Sequence, residues 1–504
     1  MVNYYGYNHL GTTETNQENV EDYMRLLDTN NPSSSIASTA PYRPRYYGGY
    51  VQDRIQTETL KLEAGLRWDV FDSQAKVLKD PYALVEIVRA GDLPSHPANI
   101  DPFDGVLYKD GDPTAPVVGY RNKDGLFYDV TGKETTFDQL RDQYGARHVS
   151  TKSTLTEAVF TPYAPVTRLL PRIAFSLKAT DNTLLMANYA VTSQRPSVGF
   201  MSLSNYAAYN GSLETNNALE PAYTIGYSMG VQHRLSAHAA IYAEVYSRQQ
   251  KKLPGYKNLI FTFPWSSQGI TQNIDQKQIK GLEAGVFAQH PAGISVAANY
   301  TLLMSELRYG FGINPYKGFS ILGATDYTQK QTVRVGHNQR HQFNALFSFR
   351  PIGKSLPTVF QQPFFKGVGL TTLFVYKSGL PYNTNLNPFD AVIAGIERIP
   401  SFSVSEMLAT YRLDLKVEKQ FELGSSTQLT AYLEVQNVLN RGNVFKVFGY
   451  TGQPDEDGFL SSPNGLQSYP IGTLRRDLYE NIVLHQRDFY GMPRLARAGL
   501  RFGF

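Results

Sequence analysis

The sequence predicts an all-β protein, a transmembrane antiparallel up-and-down β-barrel of about 14 strands. Three observations support this prediction: long segments of alternating apolar and polar residues, connections that alternate between short and long, and a last segment that ends on an aromatic residue. The 504 residues also include 34 Tyr and 28 Phe but only 2 Trp. Aromatic girdles at two membrane interfaces would account for that enrichment.

The alternation is clearest in residues 60–70, 223–232, 294–302 and 411–418. A helical period would place Lys61 or Arg412 on the apolar face, so these segments are predicted as strands. A soluble β-sandwich alternates in the same way. The segments are about 10 to 13 residues long, however, which suits a tilted membrane strand better than the usual 5 or 6 residues of globular sheets. The non-lipid faces carry charges and Gly, as expected of a hydrated lumen.

The apolar phase of the later strands predicts which side chains face lipid. These are Leu413, Leu415, Leu433, Val435, Leu500 and Phe502. The opposite phase holds charged side chains that we expect to pair across strands. They are Glu63, Arg67, Arg412, Asp414, Lys416, Glu434 and Arg501.

The connections are the second observation. Short turns are predicted at residues 57–59, 180–182, 235–237, 291–293 and 424–426, with a longer one at 351–366. Long loops are predicted at about 8–44, 73–167, 194–220, 247–276, 308–339, 378–410 and 440–492. Short connections on one side and long ones on the other are typical of periplasmic turns and extracellular loops. With the first strand at 2–7 and the last at 494–504, the even count places both termini in the periplasm.

The last strand ends in alternation on Leu500, Phe502 and Phe504. An aromatic carboxyl-terminal residue on such a strand predicts an outer-membrane assembly signal, recognised by the barrel assembly machinery. Residues 1–7 show no basic region followed by an apolar stretch, so a signal peptide is expected to have been removed or to lie upstream in a longer chain.

Composition excludes several functions. Cysteine is absent, so there is no disulfide or thiolate site, and the net charge of +4 is too small to indicate nucleic-acid binding. No catalytic constellation can be assembled from neighbouring strand ends, so we expect a non-enzyme without cofactor or metal. Asp101, Asp104, Asp110 and Asp112 are interpreted as a solvated acidic loop, with a Ca²⁺ site as the alternative.

Four aromatic residues in one predicted long loop are the candidate ligand-binding residues: Tyr256, Phe261, Phe263 and Trp265. Exposed rings could stack on a sugar, a peptide or an aromatic ligand. The alternative is that they pack against one another and against neighbouring loops.

Several segments resemble the TonB-dependent outer-membrane transporters, especially the large receptors of Bacteroidota. They are AYLEVQNVLNR at 431–441, PRLARAGLRFGF at 493–504, YKSGLPY at 376–382, KGLE at 280–283, LEP at 219–221 and YGGYVQD at 47–53. The resemblance implies uptake of a bulky or scarce solute with energy from the inner membrane. It also implies outer-membrane lipid as surroundings and suggests a surface lipoprotein as a further partner.

That family has a 22-stranded barrel with an N-terminal plug and a preceding segment that contacts TonB. About 14 strands correspond to its carboxyl-terminal part, so the chain, residues 1–504, is expected to be a partial barrel that reaches TonB only through a missing plug segment. Two alternatives remain: a plug-free 14-stranded porin-like or lipid-type diffusion channel, and a surface binding or adhesion protein anchored by its barrel. For a partial barrel we expect the strands at 2–7 and 494–504 to be open edges.

Overall fold

The computed structural model describes residues 44–74, 76–83, 85–151, 157–197, 216, 218–260, 267–308, 332–334, 338–351, 365–384, 403–423 and 427–504. Thirteen strands follow one another in a single antiparallel sheet, in chain order. They are β1 Arg45–Gln56, β2 Leu60–Asp72, β3 Val166–Thr180, β4 Thr183–Gln194, β5 Ala222–Ser236, β6 Ala239–Ile260, β7 Ser267–His290, β8 Ile294–Arg308, β9 His341–Phe349, β10 Val368–Lys377, β11 Thr410–Glu422, β12 Gln428–Gln436 and β13 Leu495–Gly503. Thr332–Arg334 adds a short strand to the end of β8.

The register of this sheet places the alternating apolar residues on one continuous face. Leu415 lies opposite Val435, and Val435 lies opposite Ala496 on the next strand. Because residues directly opposite each other point to the same side of a sheet, Leu413, Leu415, Leu433, Val435, Leu500 and Phe502 share one face, as the sequence predicts. The apolar face is called the outer face below, and the opposite face is called the inner face.

The described sheet contains thirteen of the about 14 predicted strands, and two parts of the prediction lie outside the described residues. These are the expected first strand at 2–7 and its relation to the strand at 494–504. Among the strands that the structure describes, β1 and β13 are the two ends of the sheet. The predicted turns at 57–59, 180–182 and 291–293 connect consecutive strands, and the predicted turn at 235–237 is shifted, since β5 ends at Ser236 and β6 begins at Ala239.

The prediction of a loop over residues 247–276 is wrong. β6 and β7 are 22 and 24 residues long and remain paired from Ala239 opposite Ala288 out to Ile260 opposite Ser267. The apolar alternation of the outer face stops near Ser247, and beyond it Gln249 faces Gln278. Backbone pairing continues past the apolar belt, since a ladder needs hydrogen bonds rather than apolar side chains. A hairpin therefore projects from the sheet.

The predicted long loop at 73–167 is a folded unit, called the loop domain below. Five short strands are hydrogen-bonded in the order Glu134–Thr135, Phe127–Asp129, Val117–Arg121, Gly105–Tyr108 and Arg147–His148. Val106 and Leu107 are fully buried between them. Lys76–Leu78 pairs with Phe160–Pro162 at the base of the unit. Strands of two to five residues are too short to give a period-2 signal, which is why the sequence prediction described this unit as a loop.

Helices are confined to the connections. The loop domain contains α1 Phe137–Tyr144, capped by the Thr136 hydroxyl and ended by Gly145 at φ 61°. The connection after β12 holds α2 Pro463–Ser468, α3 Leu474–Leu478 and a π-helical turn at Tyr479–Val483. Single 3₁₀ turns are Ala90–Asp92, Lys109–Gly111, Glu157–Val159 and Arg487–Phe489. None of the helices in the described ranges has the length and hydropathy needed to span a membrane.

Two other predicted loops also contain ordered elements. Pro381–Thr384 pairs with Ser403–Glu406 inside the predicted loop at 378–410. Val444 forms an isolated bridge with Tyr490 across the predicted loop at 440–492.

Candidate functional site

The inner face carries ion pairs, most of them along a strand rather than across strands. Arg67 Nε lies 2.6 Å from Asp69 Oδ1, Arg412 Nη2 lies 3.0 Å from Asp414 Oδ2, and Lys416 Nζ lies 2.9 Å from Glu418 Oε2. The cross-strand expectation holds for Arg54 and Glu63, with Nη2 2.7 Å from Oε1. Residues i and i+2 share a face roughly 7 Å apart, a gap that long side chains close as readily as the gap between strands. Among the described residues no ion pair involves Glu434 or Arg501, so the expected pairing across strands is not seen for them. The inner face is therefore a charged surface on which only part of the charges are paired.

Tyrosine rings on the inner face lie over glycines of the adjacent strand. A Cβ at Gly285 would overlap the Tyr242 ring, and one at Gly281 would overlap Tyr246. Tyr432 covers Gly499 in the same way between β12 and β13. The missing side chain provides the space that the ring occupies, an arrangement that fixes strand register.

At the long-connection end of β1 to β3, polar side chains of the strands and of the connection before β5 form a cluster that we call the mouth. Tyr46 donates a hydrogen bond to Asp69, which also accepts from Arg67. Arg168 donates to Glu220 with Nη2 3.1 Å from Oε2 and lies over the Tyr223 ring at 4.5 Å. The mouth combines donors, acceptors and aromatic surface, the mixture that recognises polar ligands.

The loop domain is anchored directly beside the mouth. Tyr163 donates its hydroxyl to the Leu219 carbonyl oxygen at 3.2 Å and packs with Phe71 and Val77. Burial raises the pKa of Tyr163 above its usual range, so the hydroxyl remains a donor. Tyr82 of the loop domain packs on the fully buried Ile270 of the β6–β7 hairpin. The domain thus contacts both the sheet and the hairpin.

Residues 216 and 218–221 connect these parts through side-chain amides. Asn216 Nδ2 donates to the Thr271 carbonyl oxygen at 2.9 Å. Asn273 accepts from the Glu220 backbone N–H at 2.8 Å and donates to the carbonyl oxygens of Glu220 and Lys252. Amides that bond to backbone hold a segment in one conformation, because they replace the hydrogen bonds of regular structure. The hairpin, this segment and the loop domain form one assembly above the mouth.

A buried ionic network lies inside the loop domain. Arg121 is fully buried and donates to Asp80 through Nη1 at 3.1 Å and Nη2 at 2.9 Å. Arg89 Nη1 reaches the same carboxylate at 2.7 Å. Burial opposes the ionisation of Asp80, but the two guanidinium groups outweigh it and lower its pKa to about 2. Two cations on one buried carboxylate fix the relative positions of three chain segments.

His148 completes that network as a neutral ring. Its Nε2 accepts from Arg121 Nε at 2.9 Å, so the ring proton is on Nδ1, which lies 2.9 Å from the Val106 carbonyl oxygen. Burial, together with the charge of Arg121, lowers the pKa of His148 to about 3. Tyr82 stacks on Arg121 at 4.8 Å, and burial raises its pKa to about 12. This network has a structural role, since its groups are satisfied by each other.

A second polar cluster closes the long-connection end of β11 to β13. Asn437, which is 2% exposed, donates from Nδ2 to the carbonyl oxygens of Arg441 and Met492, both at 3.0 Å. Arg441 donates to the Tyr411 hydroxyl at 2.7 Å and lies 3.9 Å above that ring. Asn443 bonds to both the N–H and the carbonyl oxygen of Tyr411. The segment 437–443, which overlaps the family-like segment 431–441 at residues 437–441, therefore fixes where the last long connection leaves the sheet.

The residues proposed from sequence have different outcomes. Phe261, Phe263 and Trp265 lie outside the described residues, as does the side chain of Tyr256, whose backbone is in β6. Leu500 and Phe502 lie on the outer face of β13, followed by Phe504 at 98% exposure. In the acidic loop, Asp101 accepts from the Phe103 N–H and Asp112 from the Thr114 N–H and hydroxyl. Those carboxylates stabilise turns, and the pKa of Asp104 is raised by burial.

Sequence reasoning missed the loop domain and its network. Asp80, Arg121 and His148 are separated by 41 and 27 residues, so no local pattern relates them. The anchor at Leu219 is also distant from Tyr163 in sequence. Such contacts become apparent only when the folding of the loop domain and the path of the connections are known.

A large antiparallel sheet with one apolar face, one charged face and folded long connections defines the class of outer-membrane β-barrel receptors. Residues 2–438 match a family described as TonB dependent receptor-like, beta-barrel. The chain belongs to this family, and the resemblance predicted from the sequence is confirmed. Its members are outer-membrane receptors and transporters rather than enzymes. No curated protein matches the chain.

Solved structures of low sequence identity are also similar. The ferric-catecholate import receptor Fiu from E. coli K12 is 12% identical, with 91% of this chain and 44% of that chain covered and a TM-score of 0.42. FpvA from P. aeruginosa, bound to pyoverdine, has 12% identity, coverages of 91% and 48%, and a TM-score of 0.42. The FrpB iron transporter from Neisseria meningitidis, F3-3 variant, is 12% identical, with 80% of this chain and 42% of that chain covered and a TM-score of 0.40. The chain spans less than half the length of these three proteins.

Proposed function

We propose that this chain is the ligand-capturing part of a TonB-dependent uptake receptor for a bulky or scarce solute. The observation that supports this most is the assembly above the mouth: a folded loop domain held to both the sheet and the hairpin through Tyr163, Leu219, Tyr82 and Ile270. A diffusion pore needs no folded unit at that position. A receptor that retains a large ligand gains from one, because a rigid surface loses little entropy on binding.

The remaining features of the proposal concern the whole receptor. The long connections face the outside and both termini face the periplasm, as the alternation of short and long connections suggests. Energy coupling through TonB requires a plug that the resemblance places before this barrel portion. We further propose that Tyr256, Phe261, Phe263 and Trp265 contact the ligand and that Leu500, Phe502 and Phe504 form the assembly signal.

The test measures energy-dependent uptake by whole cells that express the receptor containing this chain. Probes are fluorescent oligosaccharides, peptides and metal chelates too large for general pores. We expect uptake of one class to stop when either TonB is deleted or the proton gradient is collapsed. A matched variant, Tyr163→Phe with Tyr82→Ala, loosens the loop domain and should lower uptake of that class. Uptake that persists without TonB and the gradient would instead indicate a diffusion channel, and surface binding without any uptake would indicate an adhesion protein.

A further inference from the structure

A recess of about 410 Å³ opens on the outer face of β5 to β8. Two rows of side chains, each crossing four strands, line it. The lower row is Met229, Val245, Leu282 and Leu302, and the upper row is Tyr227, Ser247, Lys280 and Met304. The recess exists because Ser247 is small and lies between the much larger Tyr227 and Lys280.

Its position marks the long-connection boundary of the apolar face. The row beyond it is mostly polar, with Ile225, Gln249, Gln278 and Glu306. The rows on the other side are apolar, with Ala243 opposite Ala284. Lipid headgroups meet a membrane protein at such a boundary, where aromatic and basic side chains concentrate.

Two polar groups of the recess lack a partner among the residues that the structure describes. The Ser247 side chain is 8% exposed, and its Oγ makes no hydrogen bond to any residue that the structure describes. Buried hydroxyl groups are normally hydrogen-bonded, because leaving one unpaired is unfavourable. Its neighbour Lys280 is exposed and forms no ion pair within the described ranges. A hydroxyl group and an ammonium group that lie side by side can both donate hydrogen bonds to one phosphate group.

We propose that this recess binds one phosphate-bearing membrane lipid. An acyl chain lies against Met229, Val245, Leu282 and Leu302, and the headgroup phosphate accepts hydrogen bonds from Lys280 and Ser247. The apolar lining, the cation and the unsatisfied hydroxyl form a continuous path from hydrocarbon to headgroup, and the recess adjoins the lipid-facing surface. Lipid binding here goes beyond solute uptake, and it requires only that the outer face contact the membrane.

Native mass spectrometry of the full chain, purified from membranes in detergent with added phosphatidylglycerol, tests the proposal. We expect one lipid molecule to remain bound at collision energies that strip the others. The Lys280→Gln variant should lower the affinity for that lipid about five-fold, the effect of about 1 kcal/mol per basic residue at a lipid surface. Binding of phosphatidylcholine, whose headgroup carries no net charge, should change less.

Two further variants separate a specific site from general lipid contact. Ser247→Phe fills the recess with a ring that a lipid face tolerates, and it should abolish the retained lipid while heat-modifiable mobility stays normal. Lys419 lies on the outer face at the opposite, short-turn end, where its neighbours in the strand register are Val368 and Ala431. The Lys419→Gln variant should leave lipid binding at the recess unchanged. Equal losses in Lys280→Gln and Lys419→Gln, or full retention in Ser247→Phe, would overturn the proposal.

Discussion

The sheet and the loop domain are built from the same chain but solve the problem of burial in opposite ways. The sheet leaves large apolar side chains such as Leu500 and Phe502 more than half exposed and carries many of its charges on the inner face. The loop domain places Val106 and Leu107 in its interior and buries Arg121 completely. In the sheet, lipid replaces a protein core, and stability comes from the ladder of backbone hydrogen bonds. In the loop domain, a small core is supplemented by ion pairs that only work when every member is present. Changes in the two regions should therefore have different costs and different observables.

The largest effect is expected where the sheet ends. Phe504→Asp should prevent assembly into the membrane, because the charge replaces the aromatic end that the assembly machinery would recognise. Heat-modifiable mobility of the outer-membrane fraction measures this. Ile471→Asp, at another exposed apolar position in the last long connection, is the control and should assemble normally. Normal assembly of both variants would remove the assembly role of Phe504.

Breaking the ion network should unfold the loop domain but spare the sheet. Arg121→Ala leaves Asp80 buried with one cation less and His148 without its donor, so the domain should lose about 3–5 kcal/mol. Limited proteolysis should then cut within residues 76–165 while the heat-modifiable sheet persists. Arg54→Ala, which breaks the exposed pair with Glu63, should cost less than about 1 kcal/mol. If Arg121→Ala also abolished the heat-modifiable mobility of the sheet, the sheet and the loop domain would fold as one unit.

An arginine placed on one or the other face of β11 tests which face of the sheet contacts lipid. Arg at Leu415, on the outer face, should cost about 2–4 kcal/mol in folding into bilayers. Arg at Lys416, on the inner face, should cost little, since it keeps the charge beside Glu418. Equal costs in urea titrations of the vesicle-folded protein would contradict the assignment of the outer face to lipid.

The dependence of stability on pH between pH 7 and 4.5 should be largest in the loop domain. Unfolded His148 takes up a proton near pH 6.5, whereas the folded ring stays neutral down to about 3. Between these values the unfolded state binds more protons, so the stability of the domain falls as pH falls, by at most about 1.4 kcal/mol per pH unit. Hydrogen exchange at pH 7 and 4.5, corrected for intrinsic rates, should show faster exchange of the domain amides at the lower pH. His148→Gln keeps an acceptor and a donor and should reduce that difference.

The smallest effect concerns the inner wall. Gly285→Val introduces side-chain atoms into the Tyr242 ring and should cost about 1–3 kcal/mol. Adding Tyr242→Ala should recover part of that loss, because the ring is then absent. Denaturant titration of the four proteins in a double-mutant cycle gives the coupling. Additive costs would mean that the ring moves freely.

The same contrast explains what the sequence could predict. The strands of the sheet are long and face lipid, so residues such as Leu413 and Leu415 gave a clear alternation and the correct face. Beyond Ser247 the outer residues become polar while the backbone stays paired, and pattern alone could not show the hairpin. The loop domain has strands of two to five residues and depends on Asp80, Arg121 and His148, which are far apart in sequence. Contacts of that kind form only when distant parts of the chain come together in the folded protein, and no local sequence pattern predicts them.

The projecting hairpin sets a length scale for the molecule. β6 pairs with β5 as far as Lys251, and β7 pairs with β8 from Gln276 onward, so the two-stranded ribbon comprises residues 252–260 and their partners in β7. Nine residues at about 3.4 Å each make this ribbon roughly 30 Å long. A two-stranded ribbon alone is marginally stable in water. The packing of Tyr82 on Ile270 stabilises this ribbon at a point along its length. With the long connections on the outside, as proposed above, large molecules such as antibodies, phages or neighbouring proteins would contact this ribbon before they reach the bilayer.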